Sequence, residues 1–237
     1  MSAALRRESG EAQRVTHARL TAPRSGVRTW WGKAWQRAVE EAAYVESDLR
    51  GGRRAARRGE VGGISVGPGS LLAAVREGDD AWTVEVTIPV LGAAERRALV
   101  DVVAAESGRV ASLLAGDLPH DLVEHAEETG VELLPFGGEL AATCTCDAYL
   151  DPCRHALAVL LQTGWLVDAD PLVMFAARGM DREALLAALH ERTPGTAGPA
   201  GVEQLADDVE VAADTVLRAR RLVELMEAGE EIPDHLL

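Results

Sequence analysis

The sequence TCTCDAYLDPCRH, residues 143–155, contains all three cysteines of the chain, followed closely by a histidine. Cys144, Cys146, Cys153 and His155 form the pattern C-x-C-x6-C-x-H. Three thiolates and one imidazole make a complete tetrahedral ligand set for Zn²⁺. The pattern therefore predicts a zinc site. Because four protein ligands leave no coordination position open, we expect a structural metal. A catalytic Cys–His pair would explain only two of the four residues.

The residues around the ligands predict how the chain presents them. The first two cysteines are two apart at the end of an extended segment, so their side chains share one face. Asp151 and Pro152 predict the N-cap and the first residue of a helix, which places Cys153 and His155 on its opening turn. Residues two apart in a regular helix point about 200° apart, so Cys153 must lie at the irregular edge of that helix. Arg154 is a candidate to offset the net negative charge of three thiolates around one Zn²⁺.

Length and composition place the chain among globular proteins of one or two domains. It has 237 residues, of which 47% are hydrophobic. We find no run of about 18 apolar residues and no secretory signal at the N-terminus. We therefore expect a cytoplasmic protein with no membrane partner. Three cysteines in such a chain predict reduced thiols used for metal binding or catalysis.

The charge of the chain is divided unevenly. The formal net charge is −14, which argues against a surface that binds polyanions everywhere. Residues 1–59, however, hold 13 Lys+Arg against 6 Asp+Glu, whereas the remainder holds 11 against 32. A basic region followed by an acidic body predicts either an interaction arm or charge complementarity within the molecule.

The hydrophobic periods predict an α+β fold. From Thr29, a suitable N-cap, apolar residues at spacings of three and four predict an amphipathic helix through residue 49. Its tryptophans are expected in the core, with base stacking as the alternative. Residues 61–66, 71–76 and 82–90 have strand character and predict a small antiparallel meander. Further helices are predicted at 93–107, 110–115, 119–129, 157–167, 171–177 and 181–191.

A cluster of arginines follows the first predicted helix. Residues 50–59 read RGGRRAARRG, and the two glycines weaken a continuous helix there. Guanidinium groups at this density suit phosphate oxygens. The alternative is a solvated basic turn that pairs with the acidic body. The candidate nucleic-acid contacts are Arg50, Arg53, Arg54, Arg57, Arg58 and Arg154.

The zinc pattern followed by the apolar helix ALAVLL resembles the SWIM-type zinc finger, and looser similarity to bacterial SWIM-containing proteins extends from about residue 29 to 191. The features that carry it are TWWGKAW at 29–35, G-R-x-x-A-R-x-G-x-V at 52–61, the turn at 68–69, LLAGDLP at 113–119 and DPLVMFAARG at 170–179. The resemblance implies zinc bound through the four named residues and a binding module for nucleic acid or protein. It also implies association with helicase-like, ATP-driven DNA translocases, and no catalytic residues. Ala55 stands where relatives often have an aromatic residue, which removes a possible stacking group.

These observations predict an architecture and leave two functions open. The predicted regions are a flexible basic arm at 1–28, a SWIM-family core at 29–192 with the finger at about 139–166, a linker at 193–201 and a C-terminal helix at 202–237. One function is a DNA- or RNA-binding accessory protein that serves a helicase-like ATPase. The other is a protein-interaction adaptor without nucleic-acid contact. We expect neither an enzyme nor a small-molecule substrate.

Overall fold

The computed structural model describes residues 14–192 of the chain. The chain divides into two compact units, Met1–Leu189 and His190–Leu237. The elements below lie in the first unit, apart from the last three residues of the final helix. The predicted linker at 193–201 and the predicted helix at 202–237 lie outside the described residues.

The described residues form an α+β fold, as predicted. A five-stranded antiparallel sheet has its strands in chain order: β1 (Val15–His17), β2 (Val61–Gly67), β3 (Ser70–Glu77), β4 (Asp80–Thr87) and β5 (Ala141–Cys144). The helices are α1 (Trp30–Ala42), α2 (Glu46–Arg58), α3 (Ala93–Ala104), α4 (Ser107–Leu114), α5 (His120–Glu128), α6 (Arg154–Ala169), α7 (Leu172–Ala177) and α8 (Arg182–Arg192), with a 3₁₀ turn at Gly137–Glu139.

The central three strands form the predicted meander. Side chains alternate along β3, where Leu71, Ala73 and Val75 are buried and the residues between them are exposed. This alternation gives the sheet one apolar face for the helices and one solvated face. Gly69 and Gly78 turn the chain between strands with φ of +74° and +64°, a region that glycine enters without strain.

The prediction of a flexible arm over residues 1–28 is wrong for residues 15–17. These residues form β1, which pairs with β2 in the register Val15↔Val66 and His17↔Ile64. The Arg14 guanidinium also donates a 2.7 Å hydrogen bond to Ser70 Oγ. Sequence periodicity missed this strand because three residues are too few to show an alternation. Residues 1–13 lie outside the described part of the chain.

The first predicted helix is divided in the structure. A single helix through residue 49 was expected, but α1 ends at Ala42 and α2 begins at Glu46, with extended backbone at Ala43 and Val45. Both helices pack against α6. The chain therefore has to turn between them, and this tertiary requirement overrides the local helical period.

The two glycines of the basic segment, which the sequence predicts to weaken a continuous helix, do not interrupt it. Helix α2 runs through Gly51 and Gly52 without a break. A Cβ atom on Gly52 would lie 2.8 Å from Cβ of Leu157 and 3.1 Å from the backbone nitrogen of Ala158. The glycines therefore allow α2 to approach α6 closely, and this packing compensates for their low helix propensity. Gly59, at φ +67°, ends the helix.

Helix α6 is the centre of the core. It is apolar on nearly every side, as expected of a helix enclosed by other elements, and it lies between the sheet and the pair α1 and α2. The predicted core role of the tryptophans is confirmed for Trp31 and Trp35, which are buried. Their indole N–H groups donate hydrogen bonds of 2.8 Å and 2.9 Å to the carbonyls of Val167 and Leu160. Among residues 14–192, no helix has the length and apolar content needed to cross a membrane.

Candidate metal centre

The structure brings the four predicted ligands together. The three Sγ atoms and a nitrogen of His155 all lie within 4.8 Å of one another. Cys146 Sγ lies 3.6 Å from Cys153 Sγ, and His155 Nδ1 lies 3.7 Å from Cys144 Sγ and 4.0 Å from Cys153 Sγ. Tetrahedral zinc with bonds of about 2.3 Å to sulfur and about 2.0 Å to nitrogen separates its ligand atoms by about 3.5–3.8 Å. The cluster therefore has the donor types and nearly the dimensions of a Cys₃His zinc site.

The sheet positions the first two cysteines. Cys144 is the last residue of β5 and pairs with Val84 on β4. One residue later, Thr145 N donates to Thr83 O at 3.0 Å, and Thr145 Oγ1 accepts from Thr83 N at 2.9 Å. These contacts fix the chain as it leaves the sheet. Cys146, the next residue, is therefore held close to the edge of the sheet.

The predicted start of the ligand helix needs a correction. Asp151 was expected as the N-cap and Pro152 as the first helical residue, but α6 begins at Arg154 and Cys153 is the N-cap, with φ −74° and ψ 174°. The Asp151-Pro152 peptide is cis. Because the backbone of Cys153 is extended, its thiol is not held on the opposite side of a helix from His155. The convergence of four ligands thus takes precedence over the capping preference of the Asp-Pro pair.

A carboxylate that sequence reasoning missed supports the histidine. Glu77 Oε2, at the end of β3, lies 3.0 Å from His155 Nε2 and 3.0 Å from the Arg154 guanidinium. When Nε2 carries the proton and donates a hydrogen bond to this carboxylate, the lone pair of Nδ1 is free to bind a metal. Arg154, the candidate to offset the thiolates or to contact phosphate, forms an ion pair with Glu77 in the structure. No local pattern could identify Glu77, because it is 78 residues from the histidine.

Trp82 closes one side of the site. Its ring stacks on the His155 imidazole, with centroids 5.9 Å apart and planes inclined by 24°. An indole in this position limits the rotation of the imidazole and the access of water to it. The alternating pattern of β4 placed Trp82 in a strand, but it gave no sign that the side chain covers a ligand.

The protonation of the thiols fits a metal-binding role. Burial raises the pKa of Cys144 to about 12 and also raises the pKa of Cys153. These thiols therefore keep their protons at neutral pH unless a cation replaces them. A nucleophilic cysteine needs the opposite shift, toward the thiolate. One Zn²⁺ with three thiolates carries a net charge of −1, and the ion pair of Arg154 with Glu77 adjoins it.

The structure places five of the predicted nucleic-acid contacts on α2. Its opposite face, formed by small residues, packs against α6, so the arginines are carried on the outer side. Three of the five form ion pairs within the chain: Arg50 with Glu46 at 3.7 Å, Arg53 with Glu40 at 2.7 Å and Arg58 with Glu60 at 3.8 Å. Arg54 and Arg57 are exposed and make no ion pair with any described residue.

Helix α2, which carries the arginines, and the metal site both contact α6. A Cβ atom on Gly51 would lie 3.2 Å from Cβ of Arg154, which directly precedes the ligand His155. The Gln162 side chain, two turns further along α6, donates a 2.8 Å hydrogen bond to the carbonyl of Ala56. Helix α6, which begins at the metal site, therefore also supports the helix that carries the arginines, α2.

Comparisons with known proteins agree with this geometry. The family model described as SWIM zinc finger matches residues 130–164, a range that includes all four clustered ligands. A Mycobacterium tuberculosis protein named "Uncharacterized protein Rv2102" is 31% identical over 185 residues, which cover 76% of this chain and 66% of that protein. The chain thus spans just under two thirds of the length of this relative. No solved structure matches the chain. Residues 130–164 therefore form a SWIM zinc finger with a Cys/His cluster positioned to bind zinc.

Proposed function

We propose that this protein is a zinc-binding accessory protein that binds nucleic acid, DNA in the first place, through the outer face of α2. The observation that carries the proposal is the exposure of Arg54 and Arg57, which no described carboxylate neutralises. Guanidinium groups on a rigid helix suit phosphate oxygens, because their donors are arranged in a planar fork.

Two further arginines are available to the same ligand. Arg50 and Arg58 form exposed ion pairs, with 60% and 70% of their side chains accessible. Exposed pairs of this kind contribute about 0–1 kcal/mol, so phosphates can replace their carboxylates. Residues 50, 54 and 58 are each one helical turn apart and span about 12 Å, the length of three to four nucleotide steps.

The other two candidates have a positioning role in this proposal. Arg53 is half-buried and bonded to Glu40 at 2.7 Å, and Arg154 is bonded to the carboxylate that supports His155. Releasing either guanidinium would break a close contact in the protein. The proposed contact set is therefore Arg50, Arg54, Arg57 and Arg58.

The zinc site has a structural role in the proposal. Zn²⁺ would be held by the three thiolates and the imidazole, where it offsets most of the thiolate charge and fixes the start of α6. We propose a binding protein rather than an enzyme, without a small-molecule substrate. Its partner would be a helicase-like, ATP-driven DNA translocase, as the SWIM resemblance implies. The three closely spaced thiols support a location in the reducing cytoplasm.

Binding of labelled duplex and single-stranded DNA at several salt concentrations tests the proposal. The double variant Arg54→Ala/Arg57→Ala should weaken binding and lower the slope of log K against log salt by about two, since each lost phosphate contact removes about one. The matched control is Arg97→Ala/Arg182→Ala, which removes two exposed arginines from other helices. Absence of binding at low salt, or equal losses in the two double variants, would refute the proposal.

A protein-interaction adaptor is the second candidate function. It is favoured by the ion pairs of three α2 arginines within the chain and by Tyr149, which is 98% exposed on the finger. Exposed aromatic rings are typical anchors of protein interfaces. Capture of an ATP-driven translocase that is lost in Tyr149→Ala, or on deletion of residues 202–237, together with no nucleic-acid binding, would favour this candidate over the first.

A further inference from the structure

A groove lies on the side of α2 that faces α1. It is formed by α1, α2, residues 161–165 of α6 and the loop at residues 22–27, and it encloses about 360 Å³. This volume is in the lower part of the range for small-molecule pockets. The groove is separate from the metal centre, since none of the four clustered ligands lines it.

An aromatic ring and three guanidinium groups line this groove. Trp165, on α6, is half-buried and is one of its apolar walls, together with Leu161. Arg24 comes from the loop, and Arg53 and Arg57 come from successive turns of α2. Unlike Trp31 and Trp35, whose indoles donate to carbonyls of α6, Trp165 makes no hydrogen bond with the described residues.

The positive charge in the groove is only partly neutralised. Glu40, on α1, accepts hydrogen bonds from Arg53 at 2.7 Å and from Gln36 at 2.9 Å. Asp168, on α6, accepts from the backbone and the hydroxyl of Thr29, both at 2.7 Å. These carboxylates are engaged, whereas Arg24 and Arg57 make no ion pair with any described residue. The groove therefore combines an aromatic wall with two cations that no described carboxylate pairs.

We propose that this groove binds one unpaired nucleotide of a single nucleic-acid strand, with its base against Trp165 and its flanking phosphates on Arg24 and Arg57. The inference rests on the proposed function and specifies the form of nucleic acid. Bases stack on aromatic side chains irrespective of sequence, because every base has a π face. A base within a duplex is paired and stacked, so its face is not available to Trp165. The groove thus selects single-stranded regions, while the exposed face of α2 contacts phosphates of either form.

The test uses the full, zinc-loaded chain and three labelled probes: a 20-nucleotide oligo-dT, a 20-nucleotide oligo-rU and a hairpin duplex of similar charge. Trp165→Ala should weaken oligo-dT binding on the order of tenfold and leave duplex binding unchanged. Trp165→Phe keeps an aromatic face and should retain most of the affinity. Arg24→Ala should weaken binding and lower the salt slope by about one. A preference for dT or rU identifies the sugar, and either preference supports the proposal.

Intrinsic fluorescence provides a readout that does not depend on a truncated side chain. Oligo-dT should quench part of the tryptophan emission of the wild-type protein. This quenching should be missing in Trp165→Phe. It should persist in Trp30→Phe, which removes a half-buried indole outside the groove. Zinc content and melting temperature of each variant show whether it is folded.

The outcomes separate this inference from the proposed function. If the wild-type protein binds none of the three probes at low salt, the proposed function fails and the groove proposal fails with it. If the wild type binds but Trp165→Ala and Arg24→Ala bind oligo-dT equally well, only the groove proposal is overturned. It is also overturned if a 20-residue poly-glutamate displaces oligo-dT at equal concentration, since the site would then recognise acidic polymers in general.

Discussion

The two ends of α6 are held by different chemistry. Its N-terminal end carries Cys153 and His155, whose partners are other metal ligands and the carboxylate of Glu77. Its middle and its last turn, at Leu160 and Val167, accept hydrogen bonds from the buried indoles of Trp35 and Trp31. The ligands at the first end are joined to one another only when a metal binds them, whereas the remainder of the helix is organised by apolar burial. The difference indicates that zinc fixes the start of the helix and that the tryptophans fix the remainder without it.

Removal of the metal should give the largest effect, at one end only. Structural zinc contributes on the order of 10 kcal/mol to small zinc domains, so chelation should release residues 144–155 from their fixed positions. Backbone amides there should lose hydrogen-exchange protection, while amides near Leu160 and Val167 keep most of theirs. Cys153→Ser should reproduce the pattern without chelator. Equal loss of protection along the whole of α6 would contradict the distinction between its ends.

Low pH should weaken zinc binding at the N-terminal end of α6. Burial raises the pKa of Cys144 to about 12 and raises that of Cys153, so each of these thiols releases a proton when zinc binds near neutral pH. Zinc affinity should therefore fall as the pH falls, by about tenfold per pH unit for each proton released. Competition with a chromophoric chelator from pH 8 to pH 6 measures this slope. A flat profile would show that these thiols do not bind the metal.

Truncation of a buried indole should destabilise the part of α6 that lies beyond the metal site. Trp35→Ala should lower the free energy of unfolding by about 3–5 kcal/mol, because it leaves a cavity beside α6 and removes the hydrogen bond that the indole donates to the Leu160 carbonyl. Denaturant titration measures the change, and the folded variant should still bind one zinc. Tyr44→Ala, which truncates a largely exposed aromatic residue, is the matched control and should change stability by less than about 0.5 kcal/mol. Loss of zinc from the folded Trp35 variant would show that the two ends are not independent.

The carboxylate beside the site should have a smaller effect on the metal. Glu77→Gln weakens the acceptor for His155 Nε2 and should reduce zinc affinity by about 10–100-fold. Glu85→Gln, an exposed carboxylate on the neighbouring strand, is the control and should have no effect. Titration of apo-protein with zinc in a metal buffer compares the two. Equal zinc affinities in the two variants would show that Glu77 does not support the metal site.

The smallest effect is expected at the junction of α1 and α6. Asp168 accepts hydrogen bonds from Arg28 N and Thr29 N at the start of α1. Asp168→Ala should cost about 1 kcal/mol, as for a lost helix cap, and should not change zinc affinity. Asp117→Ala, which removes an exposed carboxylate elsewhere, controls for the charge change. A cost no larger than that of the control would show that this junction does not stabilise the fold.

The same comparison shows what could be predicted from the sequence. The four ligands, the meander and the buried tryptophans were predictable, because each depends on residue types at short and regular spacings. Glu77 and Trp82 were not, because the sheet brings them to His155 from distant positions in the chain. The turn between α1 and α2, the uninterrupted α2 and the N-cap at Cys153 were missed for a related reason. In each case tertiary packing or ligand convergence overrides a local preference.

Zinc X-ray absorption on protein purified without chelators, combined with elemental analysis, tests the central claim most directly. We expect one zinc per chain, with three sulfur ligands at about 2.3 Å and one nitrogen ligand at about 2.0 Å. The Cys144→Ser variant should lose a sulfur ligand or the metal itself. Far less than one equivalent of zinc in the wild-type protein, or a coordination shell dominated by oxygen, would contradict the account.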